Sequence, residues 1–183
     1  SDIGYSPAFL QFNAAGMPLG ERPNSFSIPL PVIFDLSDAP FQNDTFLRSA
    51  AEAAAEVGTF VILSVDAIVR LELIGQHIVP LVKPEDENKL ASLSSPRLVT
   101  FSEWDAQLYA AVRQSLPESL ISLQIDSVSE ELREVVRAGV HVFQWVSNFH
   151  GRDPWGSFIL DSIRDLHRFF VDAGIREEVT LLG

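Results

Sequence analysis

The sequence contains no cysteine. That excludes a disulfide framework, a thiolate-ligated zinc or iron–sulfur centre held by this chain, and a cysteine nucleophile. Lysine is almost absent: Lys83 and Lys89 are the only two, and the formal net charge is −12. A surface of that sign repels phosphate backbones, which argues against nucleic acid as a partner. No apolar run reaches the roughly 18 residues that a membrane-spanning helix needs, and no signal peptide is visible. A cytoplasmic location is the expectation. The first residue is Ser and not Met, so the chain is expected to be processed, cleaved from a tag or cut from something longer.

Glycine is equally uninformative of phosphate binding. The ten glycines include no adjacent pair and no Gly-x-Gly. A phosphate-cradling loop needs closely spaced glycines so that backbone N–H groups approach the anion. Neither a P-loop nor a dinucleotide fingerprint is present, and no Gly-x-Ser-x-Gly elbow occurs. The four histidines, at 77, 141, 150 and 167, show no paired spacing, so no metal site is expected.

What is present is the pattern of one globular domain: 183 residues, 46% apolar and 21% charged. Seven short segments read as buried strands: 31–36, 59–65, 78–82, 97–101, 119–125, 140–146 and 178–182. They are apolar on both faces more often than they alternate, which suits parallel strands. Helical patterns lie between most of them. Phe46, Leu47, Ala50, Ala54 and Val57 share one stripe; Trp104, Leu108, Ala111 and Val112 share a second; Leu132, Val135 and Val136 a third; Ile159, Ile163, Leu166, Phe170 and Ala173 a fourth. Residues 84–93 form a weaker helix candidate, and 66–77 are ambiguous. Gly58, Gly139 and Gly174 each follow a helix and precede a strand. Asn43-Asp44 marks one helix start, and Ser127 or Ser129 another.

The β-α rhythm predicts an incomplete parallel (β/α) barrel of the TIM type with about seven strands. An open doubly wound sheet is the alternative. A full eight-stranded barrel typically takes about 250 residues, more than this chain has. Residues 1–27 read as an extended arm and 28–183 as the barrel domain.

Working residues in both architectures lie at the C-terminal ends of the strands. Those positions hold Ser37, Asp38 and Phe41; Asp66 and Arg70; Lys83, Glu85 and Asp86; Ser102, Glu103 and Asp105; Asp126 and Ser127; and Ser147, Asn148, His150, Arg152 and Asp153. The last loop is the most polar. Asp126, Asn148, His150, Arg152 and Asp153 are the candidate ligand-binding residues. Arg152 suits a carboxylate and His150 a charge change near neutral pH, which points to a small anionic metabolite. Ion pairing within the loop is the simpler alternative. His141 reads as a core or interface side chain, His167 as a helix flank, and Ser64 and Ser122 as packing residues.

Residues 28–65, 120–145 and 160–183 resemble the FMN-dependent synthase domain of the glutamate synthase family, a (β/α)₈ barrel. The likeness lies in the apolar first strand with its serine turn, the Ala-rich helix before Gly58-Thr59, and the His167…Gly174-Ile175-Arg176…Val179 segment. It implies FMN and places Ser37 and Gln124 as cofactor-side positions. Gln124 stands where the family usually carries a lysine that supports reduced, anionic flavin. Ser64-Val65-Asp66-Ala67 and Asn148-Phe149-His150-Gly151 stand where the family is glycine-rich, and the chain ends at Gly183 where a Gly-Gly phosphate segment would begin. The family's cluster-binding cysteines are missing.

Two functional expectations follow. One is a non-catalytic ligand-binding, regulatory or assembly domain with an eroded flavin site. The other is a fragment of an active FMN-dependent oxidoreductase or amidotransferase. No cofactor is expected under the first, and FMN under the second. Phe9, Phe12, Phe26, Trp145 and Trp155 are candidates for apolar surface covered by a second copy or a partner domain.

Overall fold

The computed structural model describes residues 8–10, 26–28, 33–37, 43–147, 150–153 and 155–182. Strands β1 (Ala8–Leu10) and β2 (Phe26–Ile28) pair antiparallel as a separate two-stranded sheet, so the expected extended arm contains a ladder of its own. The remaining strands are β3 (Ile33–Asp35), β4 (Phe60–Ser64), β5 (Ile78–Val82), β6 (Leu98–Phe101), β7 (Leu120–Ile125), β8 (Val142–Trp145) and β9 (Thr180–Leu182). They form one sheet in the order β3-β4-β5-β6-β7-β8-β9, parallel throughout. Each lies within the segment that the apolar pattern marks.

The helices are α1 (Asp44–Val57), α2 (Val65–Arg70), α3 (Ala106–Ser115), α4 (Glu131–Ala138) and α5 (Ile159–Asp172), with 3-10 segments at Pro84–Ser92 and Arg176–Glu178. The ambiguous stretch thus opens as a short helix. Asn43 and Asp105 cap α1 and α3, accepting hydrogen bonds from the N–H groups of Phe46 and Leu108 at 3.0 and 2.7 Å; such caps stabilise by about 1 kcal/mol each. Ser64 caps α2, accepting from Ala67 N–H at 3.3 Å, a role beyond packing. Neither Ser127 nor Ser129 caps α4. Glu130 stands at its N-cap without a side-chain capping hydrogen bond, pairing with Arg133 at 2.7 Å, and the Ser127 hydroxyl donates to Asp126. Gly139 ends α4 at φ +106°, and a Cβ there would sit 2.9 Å from the Tyr109 hydroxyl. Both constraints demand glycine.

Two apolar layers lie on opposite faces of the sheet. The outer layer joins Val61, Leu63, Val99, Phe101, Ile121, Leu123 and Phe143 to α1 through α5 and includes Leu47, Val112, Leu132, Leu166 and Phe170. The inner layer is strand residues alone: Phe60, Ile62, Val79, Leu81, Leu98 and Leu120, with Ile33 and Leu182 beside them. Helices on one face and a strand order with no reversal separate this sheet from the doubly wound alternative. The Gln124 amide on β7 donates to the Asp35 carboxylate on β3 at 2.9 Å, although three strands intervene. Only a curled sheet permits that contact. The architecture is a seven-stranded parallel half-barrel, open between β9 and β3.

Helix α1 departs from its expected stripe. Leu47, Ala51 and Ala54 are buried, while Phe46 and Val57 are about half exposed. The cause is position. Strand β3 is the edge of the sheet, so the far flank of α1 meets no further element among the described residues. Trp145, a candidate surface residue, is core, whereas Trp155 is 67% exposed. Phe12 lies outside the described residues, and Phe9 and Phe26 are described only as strand backbone.

Candidate functional site

Strands β6, β7 and β8 end around a cavity of about 620 Å³. Its floor is apolar and buried: Leu123 and Ile125 from β7, Leu132 and Val135 from α4. Its rim is polar. Ser102, Glu103 and Trp104 come from the segment after β6, Asp126, Ser127 and Ser129 from the segment after β7, Glu131 from the first turn of α4, and Ser147, Arg152 and Asp153 from the segment after β8. The parallel topology brings these three loops to one end of the sheet, as it does in parallel α/β folds generally.

Four of the sequence candidates meet there: Gln124, Asp126, Arg152 and Asp153. Ser37 and His150 do not line the cavity, and Asn148, Asp38 and Phe41 lie outside the described residues. Ser37 nevertheless reaches Gln124 through a residue that sequence reasoning missed. Asp35 accepts the Ser37 N–H and hydroxyl on Oδ1, at 3.0 and 2.6 Å, and the Gln124 amide on Oδ2. Strand alternation held a signal for it. Ile33 points inward, so Asp35, two residues on, points inward as well.

The loop after β8 is built by Asp153. This buried carboxylate accepts from Trp155 N–H and Ser157 N–H at 3.0 and 2.8 Å and from the Ser162 hydroxyl of α5 at 2.9 Å. Burial pushes its pKa up, but the hydrogen bonds from Ser157, Ser162, Trp155 and Gly156 outweigh that and hold it below the usual carboxylate range. Arg152 lays its guanidinium over the Phe158 ring, 4.0 Å from the centroid, and donates to the Gly156 carbonyl. Asp153 is thus held by its own loop and by α5, and Arg152 by Phe158 and Gly156. By contrast, Glu103 and Glu131 have no hydrogen bond or ion pair among the described residues.

The other half of the rim is an ion-pair cluster. Lys89 bridges Asp66 at 2.6 Å and Asp86 at 2.9 Å, and Asp86 also accepts the Lys83 N–H. Lys89 holds the Asp66 carboxyl below its usual range, and the two carboxylates raise the Lys89 pKa. At the opposite end of the sheet His141 is buried with Nδ1 unpartnered. Burial lowers its pKa against the opposing effect of Glu178. His77 holds Nδ1 2.9 Å from the Thr59 carbonyl, and His167 accepts from Arg176.

The mouth presents the carboxylates Asp35, Glu103 and Asp126 together with serine hydroxyls and one guanidinium, Arg152. The Gln124 amide is directed at Asp35. Gly151 and Gly156 have positive φ, yet a Cβ at Gly156 would meet nothing within 4 Å and one at Gly151 only Ile159 at 3.9 Å, so neither marks a close backbone cradle. Among the described residues no group of three or more His, Asp or Glu side chains is placed to hold a metal ion, and no helix is long and apolar enough to cross a membrane. The chain matches no family model and no curated protein.

Proposed function

We propose that this chain is a non-catalytic, small-ligand-binding domain on a glutamate-synthase-like βα scaffold, acting as a regulatory or assembly unit of a larger protein. The observation that carries this reading is the cavity at the ends of β6, β7 and β8. It has an apolar floor, a convergent polar rim and a volume in the range of small-molecule sites.

 The strand position where the resemblance expects a lysine beside the flavin holds Gln124, whose amide is tied to Asp35.

The parallel strand order is compatible with that scaffold. The apolar groove of about 250 Å³ between β3 and α1, lined by Phe34, Phe46, Ala50 and Val57, supports docking to a second copy or a partner domain. Sedimentation at micromolar concentration tests that part, and a monodisperse monomer with no partner contradicts it.

The ligand reading is tested by thermal shift with small molecules of both charge signs, in the wild type and in Trp104→Ala. A ligand present at 100 times its Kd adds about 2.7 kcal/mol of stability, and the shift is expected to shrink in the variant. FMN is expected to keep its free fluorescence on titration with the protein. A yellow preparation with stoichiometric FMN, or no shift with any compound, overturns the proposal.

A further inference from the structure

The cavity rim carries four carboxylates, Glu103, Asp126, Glu131 and Asp153, against one guanidinium, Arg152. Asp153 is satisfied by its own loop, and Arg152 is engaged by Phe158 and Gly156. Asp126 accepts one hydrogen bond, from Ser127 at 3.0 Å, and Glu103 and Glu131 accept none among the described residues. The potential inside the cleft is therefore negative, and a chain of net charge −12 reinforces it at longer range.

We infer that the cavity takes an elongated organic cation with more than one ammonium group, a class opposite in sign to the anionic metabolite that Arg152 and His150 suggest in sequence. This rests on the ligand-binding reading above. Three observations select the class. The carboxylates stand on three separate elements, the segment after β6, the end of β7 and the first turn of α4, so one compact charge does not serve them all. No metal-holding group of acidic side chains exists among the described residues, which favours a ligand whose positive charges are spread along a chain. The floor of Leu123, Ile125, Leu132 and Val135 suits the methylene spacers between such charges, and Trp104, half-buried with its ring 5.5 Å from that of Tyr109, adds aromatic lining at the rim.

The test is calorimetric titration at 150 mM salt with spermidine and with a four-carbon series: putrescine, 1,4-butanediol and succinate. Spermidine is expected to bind most tightly, putrescine next, and the other two not at all. The Glu103→Gln/Glu131→Gln variant is expected to weaken spermidine at least tenfold. The Glu52→Gln/Glu56→Gln variant on α1 removes the same charge from exposed positions and is expected to leave affinity within twofold. Equal weakening by the two variants overturns the assignment, because bulk charge then explains the binding. If succinate or butanediol binds and Trp104→Ala removes it, the cavity is a ligand site and the cation assignment alone fails. If no probe binds, and the wider thermal-shift screen is also silent, both fail.

Discussion

The two halves of the strand-end rim handle charge in opposite ways. On the β4–β5 side Lys89 neutralises Asp66 and Asp86, and Arg70 pairs with Asp44 at 2.8 Å. On the β6–β8 side Glu103 and Glu131 have no partner among the described residues and line a cavity. Both halves stand on the same parallel sheet and the same apolar outer layer. The difference lies in the loops. A compensated cluster fastens a 3-10 segment to a helix, whereas an uncompensated one leaves its field for something outside the chain. Function is therefore to be sought where folding has left charge unanswered.

The largest effect that sharpens this comparison comes from the apolar residues beneath each half. Leu132→Ala under the cavity and Leu90→Ala under the ion-pair cluster each remove a side chain that is at most 4% exposed. Each is expected to cost about 2–5 kcal/mol in denaturant unfolding. Only Leu132→Ala is expected to change ligand affinity, since Leu132 forms the cavity floor. Equal effects of both on affinity would break the distinction.

Inside the curl, Ser122→Ala removes the 2.8 Å hydrogen bond to Thr100 and leaves that buried hydroxyl short of a partner. A loss of about 1–2 kcal/mol is expected, measured by denaturant unfolding, with binding unchanged.

The acid response belongs to the far end of the sheet. His141 has a folded-state pKa below its ordinary 6.5, so the unfolded chain binds its proton first. Its contribution to stability is complete above pH 6.5 and declines as the pH falls through that value toward the lower folded pKa. Tm is expected to fall from pH 7 to pH 5, and His141→Phe is expected to flatten that part of the curve. Asp153 acts the same way at lower pH. Its depressed folded pKa contributes stability above the ordinary 3.8, lost as pH falls through the folded value.

The smallest expected effect is that of Lys89→Ala. Its pair with exposed Asp66 is solvated and screened by salt, and buried Asp86 keeps the hydrogen bond from Lys83 N–H, so Tm is expected to drop slightly, less so in high salt, with spermidine affinity retained. A large loss of affinity would mean that the two halves of the rim are one site.

Much of this architecture is legible in the sequence because its signals are local. Strands such as 78–82 announce themselves as short apolar runs, and Asn43 marks a helix start by side-chain chemistry. The grouping of Gln124, Asp126, Arg152 and Asp153 also follows from parallel topology, which collects strand ends at one rim. What escapes is set by long-range placement. The half-exposed Phe46 and Val57 depend on α1 lying at a sheet edge, and buried Trp145 depends on β8 being internal. The sign of the cavity is hidden for a similar reason. In sequence Arg152 and His150 stand out in one loop, while Glu103 lies in another loop and Glu131 in the first turn of α4, and they meet the cleft only through the fold. Asp35 is hidden because its partners, Ser37 and Gln124, come together across the curl.

The central claim, that the cleft at the ends of β6, β7 and β8 is the ligand site and prefers cations, is tested most directly by amide chemical shifts in ¹⁵N-labelled protein titrated with spermidine. The account predicts saturable shifts confined to residues 102–104, 123–135 and 146–153, with the β4–β5 rim at 66–89 unmoved. Shifts centred on residues 66–89, or spread evenly over the acidic surface without saturation, would contradict it.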